Sequence, residues 1–503
     1  MESEKRMLLD VNEFPKSKGQ AFILALQHVL AMFVACITVP LIVFAGYVTK
    51  DGTSLVSVLV GPTIVAAGVG TLFYLFMTKF KAPMFLASSF AYMAPMEAAI
   101  AIGAVAVTDV NGNVVGQMAN LWILPIGMAM VGAVYCIVAL FIKLFGVGWL
   151  NKLLPPIVVG PVIMVIGLSL AGSAVANLTG SASGTYNLIK ILCGLIAMVA
   201  TALAAHYGKG TVALIPFIIG MAAGYVAAGV FTGIGYYGLH NDYFHVVDFD
   251  PLVTNFNPIR FQSFLDYPRF LFLLNDSSVP LTGADVGKAA LLFVPVSFVT
   301  ICEHIGDHKN MSGILGRDLL SDPGLTRTLI GDGVATAISG PLCGAANTTY
   351  GENVAVVGVT RIASTKVIAL ACCIAIALGF LSPLMALTMT IPACVTGGVS
   401  LILYGFIAAS GVKMLIADQI DFGQTKNIFV ASVILVAGIG GLAFKFGDPT
   451  NPTVEITSIA VSMILGIIMN SILRDKKPEK PAEAPAVKAP VQPASETVEA
   501  KAK

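Results

Sequence analysis

The sequence predicts an all-α membrane protein with 14 transmembrane spans in a 7+7 inverted repeat, with short extended segments in spans 3 and 10. Three observations carry this expectation. Of the 503 residues, 56% are hydrophobic and only 11% charged, and the mean hydropathy is +0.86. A soluble chain carries roughly a quarter charged residues, so a water-soluble enzyme of this size is excluded. Apolar runs long enough to span a bilayer recur on both sides of one polar insert. Basic residues fall on alternate connections, which assigns those connections to one side of the membrane.

The charged N-terminus, Met1 to Lys18, leads into the first run, Ala21–Ala45, which is too long for a signal-peptide core and reads as a retained span. Further runs follow at Leu55–Met77, Pro83–Val105, Leu121–Leu144, Leu154–Val175, Leu188–Ala205 and Val212–Phe231. A polar insert, Gly233 to Asp285, separates these from Ala289–Ile305, Thr328–Cys343, Val354–Val359, Val367–Leu387, Val395–Leu415, Ile428–Phe444 and Ile456–Leu473. The tail from Arg474 to Lys503, rich in Lys, Glu, Pro and Ala, is too poor in apolar residues to offset its ordering entropy and is expected to be disordered.

With the N-terminus inside, the inner connections carry Lys79, Lys81, Lys143, Lys152, Lys209, Lys309, Arg317, Arg327, Arg361, Lys366, Lys413 and Lys426. The short outer connections hold Lys50 and Lys445 and little else. The alternation puts both termini in the cytoplasm and makes the protein multi-pass in the cell (plasma or inner) membrane. An odd number of spans per half requires the halves to face opposite ways, a transporter pattern with its binding site near the midplane. Lys+Arg 29 against Asp+Glu 28 leaves a formal charge of +1, so no basic face argues for nucleic acid. The eight cysteines lie in or beside apolar stretches without a CxxC pair, which reads as reduced packing residues.

The interrupted segments are spans 3 and 10. Span 3 opens Pro83-Met84-Phe85-Leu86-Ala87-Ser88-Ser89-Phe90, and span 10 opens Ala346-Asn347-Thr348-Thr349-Tyr350-Gly351-Glu352-Asn353. Each sets a small, polar, β-favouring stretch before a short apolar run. That pattern reads as extended backbone at membrane depth feeding a half-helix whose free N–H groups face a ligand. The alternative is two ordinary spans with Ser and Thr in their packing.

Ionisable side chains inside spans are costly and functional by default. Glu303 ends a long apolar run, and Asp307 follows four residues later on the same helix face. Asp307 and His308 lie nearer the cytoplasmic end, where His308 reads as an exposed helix-end cation. Glu352 precedes Asn353 in span 10. Glu97 reads as a helix-end or structural residue. His28 is either a packing residue or, with Gln27, part of a polar network tying span 1 to span 8. Two carboxylates in one pocket suit a ligand that offers N–H donors, because an ionised carboxylate only accepts, and they also suit proton coupling. No metal-ligand spacing and no GxxxxGK[ST] loop occurs, which argues against a metal site and against ATP-driven transport. A membrane-embedded enzyme lacks any recognisable nucleophile–base pair.

The run Asn347 to Arg361 resembles the signature of the nucleobase–ascorbate (nucleobase:cation symporter-2) transporters. Gln27-His28, Ser88-Ser89-Phe90, Glu303-His304-Ile305-Gly306 and Gly397-Gly398-Val399-Ser400-Leu401-Ile402-Leu403-Tyr404-Gly405 resemble it too. The resemblance runs from about Gly19 to Leu473 and is strongest to bacterial uracil permeases. It implies a core domain (residues 19–145 and 286–390) moving against a gate domain (146–232 and 391–473). Residues 1–18 and 474–503 are then the cytoplasmic ends, and 233–285 an extracellular insert longer than the family's. It further implies a homodimer without cofactor that imports a nucleobase, uracil first, with H+ and alternatively Na+ as coupling ion.

Carried over by residue, Glu352 and Gly351 meet one edge of the base and Glu303 another. Phe90 flanks the ring, Ala35 lines it through its backbone, and Tyr404 approaches from the gate. The same carry-over assigns Glu303, Asp307, His28, Gln27, Asn353, Thr360 and Arg361 to proton coupling or its supporting network. The intact Asn-Thr-Thr-Tyr before Glu352 is the uracil-permease form. Two positions depart from the pattern. Asp307 stands where uracil permeases tend to have His, a choice commoner among purine carriers, which keeps xanthine or urate as the alternative. Ala355 stands where the signature has Gly. An anion transporter on the same fold is disfavoured by two buried acidic groups.

Overall fold

The computed structural model describes residues 7–108, 112, 114–180, 186–447 and 452–473. The tail expected at 474–503 and the first six residues lie outside the described residues. Apolar side chains in long unbroken runs leave a lipid-immersed backbone only helical bonding to satisfy its polar groups. Eight helices among the described residues are long and apolar enough to cross a membrane. They are α1 (Lys18–Val43), α2 (Leu55–Met77), α4 (Ile123–Phe145), α5 (Pro156–Thr179), α6 (Leu188–Tyr207), α7 (Pro216–Gly238), α8 (Gly283–Leu315) and α12 (Ala393–Ala417). Shorter helices complete the set: α3 (Met93–Ile100), α9 (Leu325–Ser339), α10 (Gly351–Thr360), α11 (Thr365–Leu378), α13 (Thr425–Ile439) and α14 (Ser458–Ile472).

Several helices keep apolar stripes on the outside. On α6, Leu188, Leu192, Leu195, Val199 and Leu203 are exposed at helical spacing, and on α4 so are Ile137, Leu140, Phe141 and Leu144. Water would penalise stripes of this size, whereas lipid tails accept them, so these are bilayer-facing surfaces.

The two interrupted segments meet. Strand β1 (Leu86–Ser88) pairs antiparallel with β4 (Asn347–Thr349) in the register Leu86↔Thr349, Ala87↔Thr348, Ser88↔Asn347, and every one of these residues is buried. The Ser89 amide donates to the Ala346 carbonyl (2.8 Å) and the Tyr350 amide to the Phe85 carbonyl (3.0 Å), extending the ladder at both ends. Each strand then turns into a short helix, β1 through a 3-10 turn at Phe90–Tyr92 into α3 and β4 directly into α10.

Several boundaries differ from expectation; the eleventh run, expected unbroken over Val367–Leu387, is split between Thr365–Leu378 and a further short helix, Ser382–Met389. The third run was expected to be helical to Val105, yet only Met93–Ile100 is α-helical; Val105–Thr108 (β2) forms a hairpin with Val114–Met118 (β3). Between the thirteenth and fourteenth expected runs, Ile428–Phe444 and Ile456–Leu473, the helix ends at Ile439 and β5 (Phe444–Gly447) pairs antiparallel with β6 (Pro452–Ile456). In both places β-branched and aromatic residues favour the pleated surface over continued helix. The insert is made of short helical turns, including Asp250–Phe256, tied by backbone bonds from Asp266 to Phe380 and from Leu271 to Pro341. Six of the eight cysteines are buried and all eight are unpaired.

Where α6 crosses α12 the backbones nearly touch: a Cβ on Gly398 would lie 2.0 Å from the Gly194 carbonyl oxygen, and one on Gly194 would lie 2.3 Å from that of Cys394. Small residues at such crossings let dispersion and dipole contacts replace the hydrophobic drive that lipid removes. Gly398→Val should therefore force α6 and α12 apart and destabilise the protein by about 1–3 kcal/mol. A lowered thermal midpoint in detergent, against an unchanged midpoint for Gly405→Ala, which meets open space, checks this.

Candidate functional site

Helix α8 carries two offset pairs at four-residue spacing. Glu303 and Asp307 are half-buried, while His304 and His308 are fully buried on the neighbouring stripe. A 3.6-residue period puts each pair on one face and turns the two pairs about 100° apart.

The histidine stripe is locked into its surroundings. His304 Nδ1 lies 2.7 Å from Asp332 Oδ2 on α9, and the two imidazoles stack with centroids 4.0 Å apart. His308 Nδ1 lies 2.7 Å from the His304 carbonyl oxygen, and its Nε2 lies 2.5 Å from the Tyr74 hydroxyl on α2. A carbonyl only accepts, so His308 carries its proton on Nδ1 and the Tyr74 hydroxyl donates to Nε2. The expected exposed helix-end cation at His308 is thus corrected: the residue is closed off between α2 and α8, because Tyr74, 234 positions away, supplies the partner that sequence cannot display.

The acidic stripe faces β4 and α10. Asp307 Oδ2 accepts a hydrogen bond from Thr349 Oγ1 at 2.8 Å, and its Oδ1 would stand 3.6 Å from a Cβ on Gly351. Glu352 sits in the first turn of α10, where the Asn353 and Val354 amides donate to the Tyr350 carbonyl (3.1 and 3.2 Å), so the helix start presents the Gly351 amide and not a row of free donors. Glu303 lies within electrostatic range of Asp307, Glu352 and Asp332, and Glu352 within range of Asp307. Glu303, Asp307, Gly351 and Glu352 are all half-buried, and α8 and α10 bring them together in one cluster.

The remaining sequence-predicted residues divide into two groups. Asn353 Nδ2 donates to the His28 carbonyl at 3.2 Å and approaches His28 Nδ1 at 3.3 Å, tying α1 to α10 beside buried Gln27. Ala35 is fully buried on α1, and its neighbour Cys36 lies 3.5 Å from the Ser88 hydroxyl of β1. Phe90 meets Tyr404 of α12 edge-on, with centroids 6.0 Å apart. Thr360 and Arg361 are not brought to the pocket. They end α10, about 12–14 Å along its axis from Glu352, and the Thr360 hydroxyl bonds back to the Val356 carbonyl at 2.7 Å. Sequence reasoning left out Asp332, although an acid inside the run Thr328–Cys343 carries the same signal as Glu303. Glu97 is half-buried on α3.

A separate cleft of about 700 Å³ lies beneath the insert, lined among others by Thr53, Asp250, Asp266, Arg269 and Met385. None of the expected site residues borders it.

The Permease family model Xan_ur_permease matches residues 19–446. A uracil permease of Bacillus caldolyticus is 40% identical over 466 residues, covering 93% of this chain and 94% of that protein. Uracil permeases of Bacillus subtilis (strain 168) and Escherichia coli (strain K12) are 35% and 33% identical, covering 95% and 93% of this chain and 98% and 94% of theirs. Among solved structures, the transmembrane domain of the cyanobacterial bicarbonate transporter BicA aligns at TM-score 0.54 and 11% identity, covering 91% of this chain and 99% of that one. The murine Slc26a9 anion transporter aligns at TM-score 0.59 and 10% identity, covering 92% and 69%. These last two share the fold. The chain is a multi-pass membrane permease, not an enzyme, and belongs to the Xan_ur_permease (nucleobase:cation symporter-2) family.

Proposed function

We propose that the protein imports uracil by symport with protons, through alternating access of a core domain (19–145 and 286–390) against a gate domain (146–232 and 391–473). In this reading the fourteen helical segments form a 7+7 inverted repeat, both ends are cytoplasmic, the insert faces outward, and the permease works as a homodimer. The observation that carries the reading is the meeting of half-buried Glu303 on α8 with half-buried Gly351 and Glu352 at the start of α10. Carboxylates accept and the Gly351 amide at the helix start donates, so this cluster offers both halves of a pattern that a ring with alternating N–H and C=O groups requires. Uracil is such a ring. Full-length similarity to uracil permeases supports the same substrate.

In the proposed cycle Glu352 and the Gly351 amide hold one edge of the base and Glu303 another. Phe90 flanks the ring, Ala35 lines it, and Tyr404 closes from the gate side. Glu303, Asp307, His28, Gln27 and Asn353 supply the coupling network; Thr360 and Arg361 would act in it only through α10. Several carboxylates crowded in one low-dielectric space cannot all stay ionised, so a proton taken by one of them with the base would ease reorientation. A purine substrate, xanthine or urate, is the second reading, favoured by Asp307 in the position of the uracil permeases' His.

Glu352→Gln turns an acceptor into a donor facing the ring's N–H, which should weaken uracil binding about 10- to 100-fold, from the 1–3 kcal/mol cost of a mispaired buried group. Calorimetry on the purified variant reads this directly, and unchanged affinity would remove Glu352 from the site. Glu303→Gln should lose concentrative uptake, flatten its pH dependence and, because Glu303 also holds the base, weaken binding. A pH profile like that of the parent would count against Glu303 as a proton carrier. In cells lacking their own uracil carrier, labelled uracil should accumulate, resist excess xanthine or urate, and stop when the proton gradient is collapsed. Strong block by xanthine favours the second reading, and accumulation that follows sodium replaces the proton.

A further inference from the structure

Ahead of α1, residues 8–13 run alongside the connection between α10 and α11. The Leu8 and Leu9 amides both donate to the Arg361 carbonyl (2.8 and 3.3 Å), Ala363 N–H donates to the Leu9 carbonyl (2.9 Å), and Thr365 N–H to the Val11 carbonyl (3.0 Å). Side chains add to this ladder. Thr365 Oγ1 donates to the Val11 carbonyl at 2.9 Å, and the Ser364 hydroxyl donates to the Glu13 carbonyl. Val11 is 1% exposed and joins the main apolar core. The Arg317 guanidinium, just past the end of α8, pairs with Asp10.

The location of these bonds matters more than their number. Arg361 is the left-handed C-cap of α10, a helix of only ten residues, too short to hold itself in isolation. Its start is held by β4 and its end by this strap, so the axial position of Glu352 is set from both sides. The same strap grips the end of α8, which carries Glu303 and Asp307, and continues into α1, which carries Gln27 and His28. We propose that residues 8–13 form a clasp that registers α1, α8 and α10 against one another from the cytoplasmic ends, with Asp10 and Arg317 as positioning residues for the transport site. The proposal rests on the reading that Glu303 and Glu352 line that site.

Asp10 and Arg317 are about half exposed, and an exposed pair adds little to global stability. Its loss should therefore appear locally. In the full-length purified protein, Asp10→Arg should speed amide hydrogen exchange across residues 351–360 about fivefold, the order an exposed ion pair and its reversal support, with an unchanged thermal midpoint. The KM for uracil should rise by a similar factor while the expressed amount stays constant. Asp10→Arg combined with Arg317→Asp should restore both readouts. If Asp10→Arg is not recovered folded, Thr365→Val, which keeps the shape and removes one clasp bond, decides by the same exchange measurement. Exchange over 351–360 that is unchanged in the recovered variant, or a reversed pair that fails to restore it, overturns the proposal. Exchange is read without substrate, so a parent that does not transport uracil would sink the substrate assignment and leave the clasp to stand or fall alone.

Discussion

The pairing of β1 with β4 is the contact on which the rest depends. Extended backbone within a bilayer has no intrasegment bonds, and each polar group left unpaired there costs several kcal/mol. A three-residue strand is stable at that depth only if another segment of equal length meets it. Leu86–Ser88 and Asn347–Thr349 do so, although 263 positions separate Leu86 from its partner Thr349. Their outer edges are held as well: the Leu86 amide donates to Thr71 Oγ1 of α2 at 2.9 Å, Thr71 Oγ1 lies 3.1 Å from the Leu86 carbonyl, and Thr336 Oγ1 of α9 donates to the Asn347 carbonyl at 2.7 Å. With the strands fixed, α3 and α10 must begin beside one another. Phe90 and Glu352 are then brought to the same region by the fold and not by any attraction between themselves.

Helix α8 supplies the opposite wall through simple periodicity. One stripe, Glu303 and Asp307, faces β4 and α10 and remains half-buried; the next, His304 and His308, is sealed against Tyr74 and Asp332. The sealed stripe resists rotation of α8 because turning the helix by one residue would strip His308 of Tyr74 and put a histidine where Asp307 meets Thr349. The acidic face is thus held in register by contacts made on the other stripe.

Much of the architecture was legible because it is a property of runs. Length and hydropathy located the apolar segments, and the Asn347–Thr349 stretch announced an extended piece through its β-branched, polar character before a helix start. What stayed hidden depends on partners remote in sequence. Nothing local in His308 indicates that Tyr74 will reach it, so an end-of-helix histidine reads as exposed. The hairpins at Val105–Met118 and Phe444–Ile456 extended apolar runs whose period cannot separate a buried strand from a helix. Asp332 is a different case, since its acid inside an apolar run was visible by the rule that singled out Glu303. Thr360 and Arg361 show the limit of motif transfer: they close the signature run, yet the fold sets them at the far end of α10, where Arg361 serves through its carbonyl.

The fold relatives sharpen the question of ligand charge. A helix that begins at mid-membrane presents a partial positive charge and free amides, a natural seat for an anion, and the bicarbonate and Slc26a9 anion transporters share this fold. Here the first turn of α10 carries its own carboxylate, Glu352, with Glu303 and Asp307 of α8 in electrostatic range. The chain's own carboxyl groups stand where an anion would sit, and any of them that is ionised would repel it. A neutral ligand escapes that repulsion and gains acceptors for its N–H groups. On the proposed reading, side chains on α8 and α10 make the start of this half-helix a site that demands donors.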